Sequence, residues 1–364
     1  MTPGLGARRT LDLLNYFRTP QAIFRSSLSE LAGRGVSGAA AQSIVSGCMF
    51  EEAATQHERM RQRGTELVTI QDEAYPEHLR QIFDPPVVLF AQGRLEMLGL
   101  VGIAIVGSRL ATTYGKAVAE RLGGDLAARG LAIVSGMARG IDTAAHRGAL
   151  AAGGATIAVF GCGVDVVYPR ENVALAEQIS REGLVVSEFP LGSPAYPQNF
   201  PIRNRIVSGL SAGVVVVEGR EYSGSTITAR LALEQDREVF AVPGNITSPQ
   251  SFGPHLLLKQ GAQLVQCATD VLDGLPWECR KRLAAEPGGA PRAEQAQLDF
   301  GPMTPVARQL LGLLRVDQSL NLDEITEACL DASSSEVIAM LFELELAGLV
   351  RQLPGKSFVK VMGR

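Results

Sequence analysis

The chain has 364 residues, 46% of them hydrophobic, enough for two or three domains with at least one large core. Its net charge of −4 argues against non-specific coating of nucleic acid, although a local cluster of arginines can still bind phosphates. No apolar run reaches membrane-spanning length, and the first residues lack a charged segment followed by an apolar one. We therefore expect a soluble, cytoplasmic protein without a membrane partner.

Residues 1–62 predict a small helical domain. Apolar positions at helical spacing, beginning with Leu11, Leu14 and Phe17, indicate short helices up to about Arg63. A glycine-containing turn at 33–37 separates two of them. Such units can hold a DNA backbone, but packing or contact with a partner is the interpretation we favour.

Residues 63–280 predict a doubly wound α/β domain. Short β-branched runs separated by helix-length segments are typical of strands buried on both faces of a mainly parallel sheet. The runs are Ile103–Val106, Leu131–Val134, Thr156–Phe160, Leu184–Val186, Val214–Val217 and Val239–Val242. Two more runs, Leu67–Ile70 and Val87–Phe90, flank prolines and are expected to add edge strands.

The remaining residues predict a linker and a third domain. Residues 281–301 are rich in Pro, Gly, Ala, Glu and Gln without apolar periodicity, which indicates a flexible linker. Residues 302–364 predict three helices and a β-hairpin, the pattern of a winged helix. Its third helix carries three glutamates and no basic residue before Arg351, which disfavours insertion into a groove lined by phosphates. We expect this domain to contact a partner, or DNA weakly through Lys356 and Lys360.

Glycine, hydroxyl and arginine residues recur where the predicted strands turn into helices. Gly107-Ser108-Arg109 follows the first of the six runs, Gly136 follows the second, and Gly161 follows the third. The carboxyl ends of parallel strands share one edge, where such sheets bind their ligands. Backbone N–H groups, a hydroxyl and a guanidinium there suit a phosphate. The simpler alternative, that the glycines only make tight turns, explains their recurrence on one edge less well.

Arg203, Asn204 and Arg205 lie at the start of a later predicted helix. Cations there oppose the helix dipole unless an anion lies nearby, so both arginines are candidate ligand contacts. An ion pair with Glu188 or Glu218 is the alternative for one of them.

Further candidates lie after the third and fifth runs. Arg170 comes shortly after the Gly161 turn, within reach of the same edge. Ser225 and Thr226 begin the helix after the fifth run, where their hydroxyls receive a phosphate or cap the helix.

Reactive chemistry is missing from this pattern. The Gly161 turn lacks the third glycine of a dinucleotide fingerprint, and the 354–357 segment lacks the first glycine of a P-loop. His146 has no evident nucleophile partner, and the five cysteines are scattered and expected to be buried apolar residues. We therefore expect no catalytic residue, metal or cofactor, and a site that binds rather than cleaves.

Together these motifs resemble the DNA-processing protein A family, also called DprA or Smf. The resemblance covers nearly the whole chain through segments 107–109, 135–142, 168–172, 187–190, 200–211 and 223–230. It implies an extended Rossmann domain between a sterile-alpha-motif-like helical domain and a winged helix. It also implies a homodimer, formed through the Rossmann-like domain, that binds single-stranded DNA and helps to load RecA in natural transformation. Two residues depart from the family pattern. Many relatives have Gly or Ala at the position of Met137 and Lys at the position of Arg170.

For individual residues, the resemblance implies that Arg109 and Arg170 grip the DNA backbone. The residues expected around them are Gly107, Ser108, Gly136, Gly161, Arg203, Asn204, Arg205, Ser225 and Thr226. Because aromatic residues make up only 5% of the chain, we expect phosphate contacts to dominate over base stacking.

Two other functions compete with DNA binding. A nucleotide-hydrolysing enzyme similar to the phosphoribohydrolases called lysine-decarboxylase-like proteins has this type of sheet. It needs a catalytic Glu in the helix where this chain has Ala229 and Arg230. A purely structural dimer scaffold is the third hypothesis, and unchanged DNA affinity of an Arg109→Ala protein would favour it.

Overall fold

The structure is a computed structural model that describes residues 2, 4–221, 223–285, 304–316, 318–329, 332–346, 349–353 and 355–361. Most of the predicted linker, from residue 286 onward, lies outside the described residues. None of the described helices is long and apolar enough to cross a membrane.

The N-terminal residues form a cluster of five short helices. They are α1 (Ala7–Phe17), α2 (Pro20–Arg25), α3 (Leu28–Gly33), α4 (Gly38–Ser46) and α5 (Phe50–Arg63). Hydroxyl side chains start several of them: Ser27 forms a capping box with Glu30 at α3, and the Ser37 hydroxyl accepts the N–H of Ala40 at α4. Leu13, Leu31 and other apolar residues of these helices join the same buried core as the sheet.

A nine-stranded, mainly parallel sheet follows these helices. Its strands are β1 (Glu66–Thr69), β2 (Val88–Gly93), β3 (Gly102–Val106), β4 (Ala132–Ser135), β5 (Thr156–Phe160), β6 (Leu184–Ser187), β7 (Gly213–Val216), β8 (Glu238–Ala241) and β9 (Gln263–Leu264). Their order is β1-β2-β6-β5-β4-β3-β7-β8-β9. The predicted edge strands β1 and β2 pair antiparallel with each other, and β2 also pairs antiparallel with β6. Strands β3 to β9 pair in parallel with one another.

Helices cover both faces of this sheet. They are α6 (Glu77–Arg80), α7 (Thr113–Ala127), α8 (Ile141–Ala151), α9 (Val173–Glu182), α10 (Asn199–Gly209), α11 (Gly224–Glu234), α12 (Phe252–Lys259), α13 (Ala268–Gly274) and α14 (Trp277–Ala285). Alternate residues of β3 enter opposite cores: Ile103 and Ile105 pack on one face, and Ala104 and Val106 on the other. This two-sided burial confirms the predicted doubly wound α/β class.

The chain reverses its direction of travel across the sheet beside β3, which lies between β4 and β7. The loops after these strands therefore diverge and leave a crevice, as at other topological switch points. We call the loops after β3, β4, β5 and β7 the carboxyl edge. It comprises residues 107–112, 136–140, 161–172, 218–221 and 223–225.

The C-terminal residues that the structure describes have the arrangement of a winged helix. Its elements are α15 (Pro305–Leu313), β10 (Leu320–Asn321), α16 (Leu322–Ala328), α17 (Ser334–Leu346), β11 (Val350–Leu353) and β12 (Ser357–Lys360). The exposed side chains of α17 include Ile338, Phe342 and Glu343. The Lys360 ammonium donates to the Leu311 carbonyl oxygen at 2.9 Å, so this predicted DNA contact is engaged within its own domain.

A buried histidine gives the sheet domain a specific response to pH. His146 is fully buried, and its Nδ1 lies 2.7 Å from the Thr156 hydroxyl, while Nε2 has no hydrogen-bond partner in the described part of the chain. Burial lowers the pKa of His146 to about 3, and Arg203 adds to this effect. Between pH 6.5 and 3 the unfolded chain therefore binds a proton that the folded chain excludes.

We predict that the free energy of unfolding is unaffected by this group above pH 6.5 and falls by up to about 1.4 kcal/mol per pH unit below it. Urea denaturation between pH 7 and 5 measures the slope, which His146→Asn should reduce. The exposed His57 on α5 provides the control, since His57→Asn should keep the wild-type slope. Equal slopes for wild type and His146→Asn would contradict the assignment.

Candidate functional site

A cavity of about 410 Å³ opens at the switch point of the sheet. It brings together groups that are distant in sequence and converge from the ends of β3, β4 and β7 and from α10. Its lining includes Gly107, Ser108, Arg109, Gly136, Ala138, Asp142, Arg203, Asn204, Arg220, Ser223, Ser225 and Gln250. Seven of the predicted site residues are in that set, so the structure groups most of the sequence candidates in one place.

Glu218 holds the loop after β3 through hydrogen bonds. The backbone N–H of Ser108 donates to the Glu218 carbonyl oxygen at 2.8 Å, and the N–H of Thr112 donates to its carboxylate at 2.9 Å. Glu218 therefore positions this loop and does not pair with an arginine of α10. Arg109 remains exposed, with its guanidinium 5.6 Å from the centre of the Phe200 ring.

The loop after β4 is organised by Asp142 at the start of α8. One carboxylate oxygen accepts the backbone N–H groups of Gly136 and Ala138 at 3.1 and 3.3 Å. Burial raises the pKa of Asp142, whereas Arg203 and these two hydrogen bonds act in the opposite direction. Met137, between the two donors, has a left-handed backbone with φ 58° and a fully buried side chain.

Arg203 forms part of the cavity floor. The residue is only 4% exposed, and Nη1 donates to the Val159 carbonyl oxygen at 3.1 Å, while none of the described residues forms a hydrogen bond with Nε. Burial lowers the pKa of Arg203 to about 10, so it remains a cation at neutral pH. A Cβ atom on Gly136 would collide with Nη1, so any larger residue there would have to displace the guanidinium.

The start of α11 supplies the wall after β7. The Ser223 and Ser225 hydroxyls lie 2.8 Å apart, and the side chain of the N-cap residue Ser223 forms no capping hydrogen bond with the described part of the helix. The Thr226 hydroxyl donates to the Ser223 carbonyl oxygen at 2.7 Å, so it is engaged locally. Uncapped N–H groups beside Arg220 suit an anion.

Arg170 lies on a 3-10 helix fixed against the loop after β4. The Asn172 amide donates to the Met137 carbonyl oxygen at 2.9 Å, and Glu171 pairs with Arg139 at 2.8 Å. Arg170 is exposed and has no carboxylate partner among the residues that the structure describes. It extends the carboxyl edge beyond the cavity, where Gly161 also lies.

The structure places Arg205 away from the cavity. It is 6% exposed, and its guanidinium binds Glu188 at 2.8 and 2.9 Å and Asp84 at 2.9 Å. The ion pair with Glu188 that the sequence offered as an alternative is therefore present. With both carboxylates engaged, Arg205 contributes to the packing of α10 and not to the cavity.

Gln250 and Arg220 line the cavity but were not among the sequence candidates. The Gln250 side-chain amide donates to the Leu110 carbonyl oxygen at 3.1 Å, and the Gln250 backbone carbonyl accepts the N–H of Gly219 at 2.7 Å. Gln250 thus joins the loops after β3 and β7, and its buried Oε1 has no hydrogen-bond partner among the described residues. No sequence signal marks a glutamine for this position, whereas Arg220 followed a strand and was detectable by the same rule as Arg109.

Comparison with known proteins agrees with this architecture. Residues 66–276 match the family described as DNA recombination-mediator protein A, and residues 289–356 match the DprA winged helix domain. Protein Smf of Escherichia coli is 41% identical over 299 residues, which is 81% of this chain and 78% of that protein.

Two solved structures are similar as well. DNA processing protein A from Streptococcus pneumoniae has 37% identity and a TM-score of 0.70, over 76% of this chain and 95% of the other. DNA processing protein A from Helicobacter pylori, whose structure addresses its single-stranded DNA binding mode, has 31% identity and a TM-score of 0.52, over 57% and 94% of the two chains.

The ion pairs of Arg205 lead to a stability prediction. Glu188→Ala should lower the free energy of unfolding by about 3 kcal/mol, because it leaves a buried guanidinium with one carboxylate instead of two. Urea denaturation measures the change. Glu96→Ala, which removes the exposed partner of Arg94, is the control and should change stability by less than about 1 kcal/mol. A Glu188→Ala protein as stable as the control would contradict a structural role for Arg205.

Proposed function

Because the chain belongs to the DNA recombination-mediator protein A family, we propose that it binds single-stranded DNA along the carboxyl edge. In this proposal it acts in the cytoplasm, protects incoming DNA and helps to load RecA during natural transformation. The observation that carries the proposal is the row of exposed arginines Arg109, Arg170 and Arg220. None of the three pairs with a carboxylate among the described residues. The single-stranded DNA binding mode described for the H. pylori relative supports it.

Electrostatics favour a polyanion at this place. The chain as a whole is acidic, but three nearby carboxylates, Asp142, Glu218 and Glu171, are each engaged by backbone N–H groups, a hydroxyl or Arg139. Glu221 is exposed beside Arg220, so one exposed carboxylate stands against three exposed arginines. The exposed arginines and the start of α11 therefore leave an excess of positive charge facing solvent. Phosphate binding needs such a local excess and not a basic protein overall.

The homodimer belongs to the same proposal. Large apolar side chains are exposed around α12 and β9, on the side of the sheet where β8 and β9 form the edge. They are Ile246 (89% exposed), Phe252 (45%), Leu256 (37%) and Leu264 (48%). Exposed large apolar side chains are common at protein interfaces, which supports pairing through this part of the Rossmann-like domain.

We favour a binding protein over the phosphoribohydrolase-like alternative. The carboxylate that lines the described part of the cavity is Asp142, and it is occupied by two backbone N–H groups. The first turns of α11 present Ala229 and Arg230 where the enzyme needs a glutamate. Release of free base from a nucleoside monophosphate by the purified chain would support the enzyme instead.

We predict that Arg109→Ala and Arg170→Ala each weaken single-strand binding about tenfold or more, since hydrogen bonds to charged groups contribute about 1.5–3 kcal/mol. Each change should also reduce the slope of log affinity against log salt by about 0.7. Filter-binding titrations of an oligothymidylate at two salt concentrations measure both effects.

The control for these variants is Arg181→Ala. Arg181 is also exposed, but it lies at the end of α9 and so at the opposite edge of the sheet. Its removal should leave affinity and salt slope close to wild type. Unchanged binding by Arg109→Ala would instead favour the structural dimer scaffold.

A separate prediction concerns the winged helix. A chain that ends at Pro302 should keep most of its affinity for single-stranded DNA, because α17 carries no basic residue and Lys360 is engaged by Leu311. The same filter-binding assay compares it with the full chain. Loss of most of the affinity would show that this domain holds DNA and does not serve mainly for partner contact.

A further inference from the structure

The C-terminal half of α5 is fixed against the loops after β5 and β6. Met60 is buried among core residues of these two strands and of the loops that follow them. The Gln56 side-chain amide donates to the Leu191 carbonyl oxygen at 3.1 Å, and this contact is buried. The helix therefore has a fixed position at the edge of the sheet where β5 and β6 end.

Two arginines of α5 lie beside these loops. A Cβ atom added to Gly192, in the loop after β6, would lie 3.4 Å from Nη1 of Arg59. Nε of Arg63 lies 3.8 Å from the carboxylate of Asp165, in the loop after β5, and the Arg63 side chain is 59% exposed. We call Arg59 and Arg63 the α5 arginines.

The α5 arginines keep most of their capacity to bind an anion. Arg59 is exposed, and no described residue forms a hydrogen bond or an ion pair with it. The Asp165 side chain near Arg63 is only 12% exposed, and one of its oxygens accepts the backbone N–H of Gly192 at 2.8 Å. Because a guanidinium carries five N–H donors, the one contact at 3.8 Å leaves donors of Arg63 for a phosphate.

The α5 arginines continue the row of exposed arginines along the carboxyl edge. Going across the sheet, Arg220 follows β7, Arg109 follows β3, and Arg170 is held against the loop after β4. The α5 arginines come next, beside the loops after β5 and β6. Neighbouring strands lie about 4.8 Å apart, so β4 and β6 are separated by roughly 10 Å. At about 3.4 Å per nucleotide of a stacked strand, this distance corresponds to about three nucleotides.

We propose that the bound single strand continues past Arg170 and that the α5 arginines bind phosphates of this continuation. This inference rests on the proposed single-strand binding and extends its surface to the N-terminal helices. A strand too short to reach α5 lacks these contacts even when it occupies the cavity. Because the contacts are with phosphates, they do not depend on the base sequence.

Stabilisation of the helix accounts for Arg61 but not for Arg59. Arg61 lies in the last turn of α5, where a cation interacts favourably with the helix dipole, and its Nη1 lies 3.7 Å from Glu58. Arg59 precedes the last turn and has no such partner among the described residues. Since the two are separated by two residues, their side chains leave α5 on nearly opposite sides.

Arg59→Ala and Arg61→Ala are a matched pair, because each removes one exposed arginine from the same helix. For an oligothymidylate of about ten nucleotides, Arg59→Ala should weaken binding roughly two- to fivefold and lower the slope of log affinity against log salt by about 0.7. Arg61→Ala should match the wild type, and Arg59→Lys should recover the slope because it keeps the charge. For an oligothymidylate of about four nucleotides, all four proteins should bind equally. Fluorescence anisotropy of the full-length chains measures these affinities.

The outcomes separate this surface from the proposed function. Equal affinities of the Arg59→Ala and Arg61→Ala proteins for the longer strand would overturn the contact at α5. An Arg59→Ala effect of the same size on both strands would also overturn it. Binding of neither strand by the wild type would overturn the proposed single-strand binding itself.

Photocrosslinking of the wild-type chain locates the strand without any substitution. A photoreactive thymine is placed at each position of the longer strand in turn, and mass spectrometry identifies the crosslinked peptides. One end of the strand should crosslink to residues 59–63 or 190–193, and its middle to residues 107–112. Crosslinks from every position to the carboxyl edge alone would overturn the proposal, even if a variant fails to fold.

Discussion

The buried guanidinium of Arg203 is the constraint on which the carboxyl edge depends. A cation without water costs several kcal/mol unless nearby groups compensate for the lost hydration. Here the Val159 carbonyl accepts one N–H, and the carboxylate of Asp142 keeps the charged form favourable. The close approach of the guanidinium to Gly136 also fixes the course of the chain after β4. One buried charge thereby links α10, the end of β5 and the loop that Asp142 organises.

Acidic and amide side chains around the site form hydrogen bonds that hold the backbone of its loops. Glu218 holds the loop after β3, Asp142 holds the loop after β4, and Gln250 joins the loops after β3 and β7. Because these groups are engaged inside the protein, they do not compete for the exposed Arg109 and Arg170. An acidic chain can therefore present a cationic surface at one edge of its sheet, and the phosphates of a strand would complete the charge balance there.

The sequence was sufficient for the parts of the fold that follow from periodicity. The six central strands lie within one or two residues of their predicted positions, because continuous β-branched runs have few alternatives to a buried sheet. The functions of Arg203 and Arg205 could not be separated in the same way. Residues two apart on a helix point in nearly opposite directions, so one reaches the cavity and the other reaches Glu188 and Asp84. Contacts of Gln250 with Leu110, and of Tyr168 with Phe200, depend on tertiary packing that no local pattern encodes.

Amide hydrogen exchange of the full chain, with and without a saturating oligothymidylate, tests most directly whether these separate strand ends form one surface for a single strand. The bound strand should slow exchange together in segments 107–112, 136–140, 168–172 and 223–226. Exchange in α17 and in helices α1 to α4 should remain nearly unchanged. Protection confined to those helices, with no change along the carboxyl edge, would contradict the proposed binding surface.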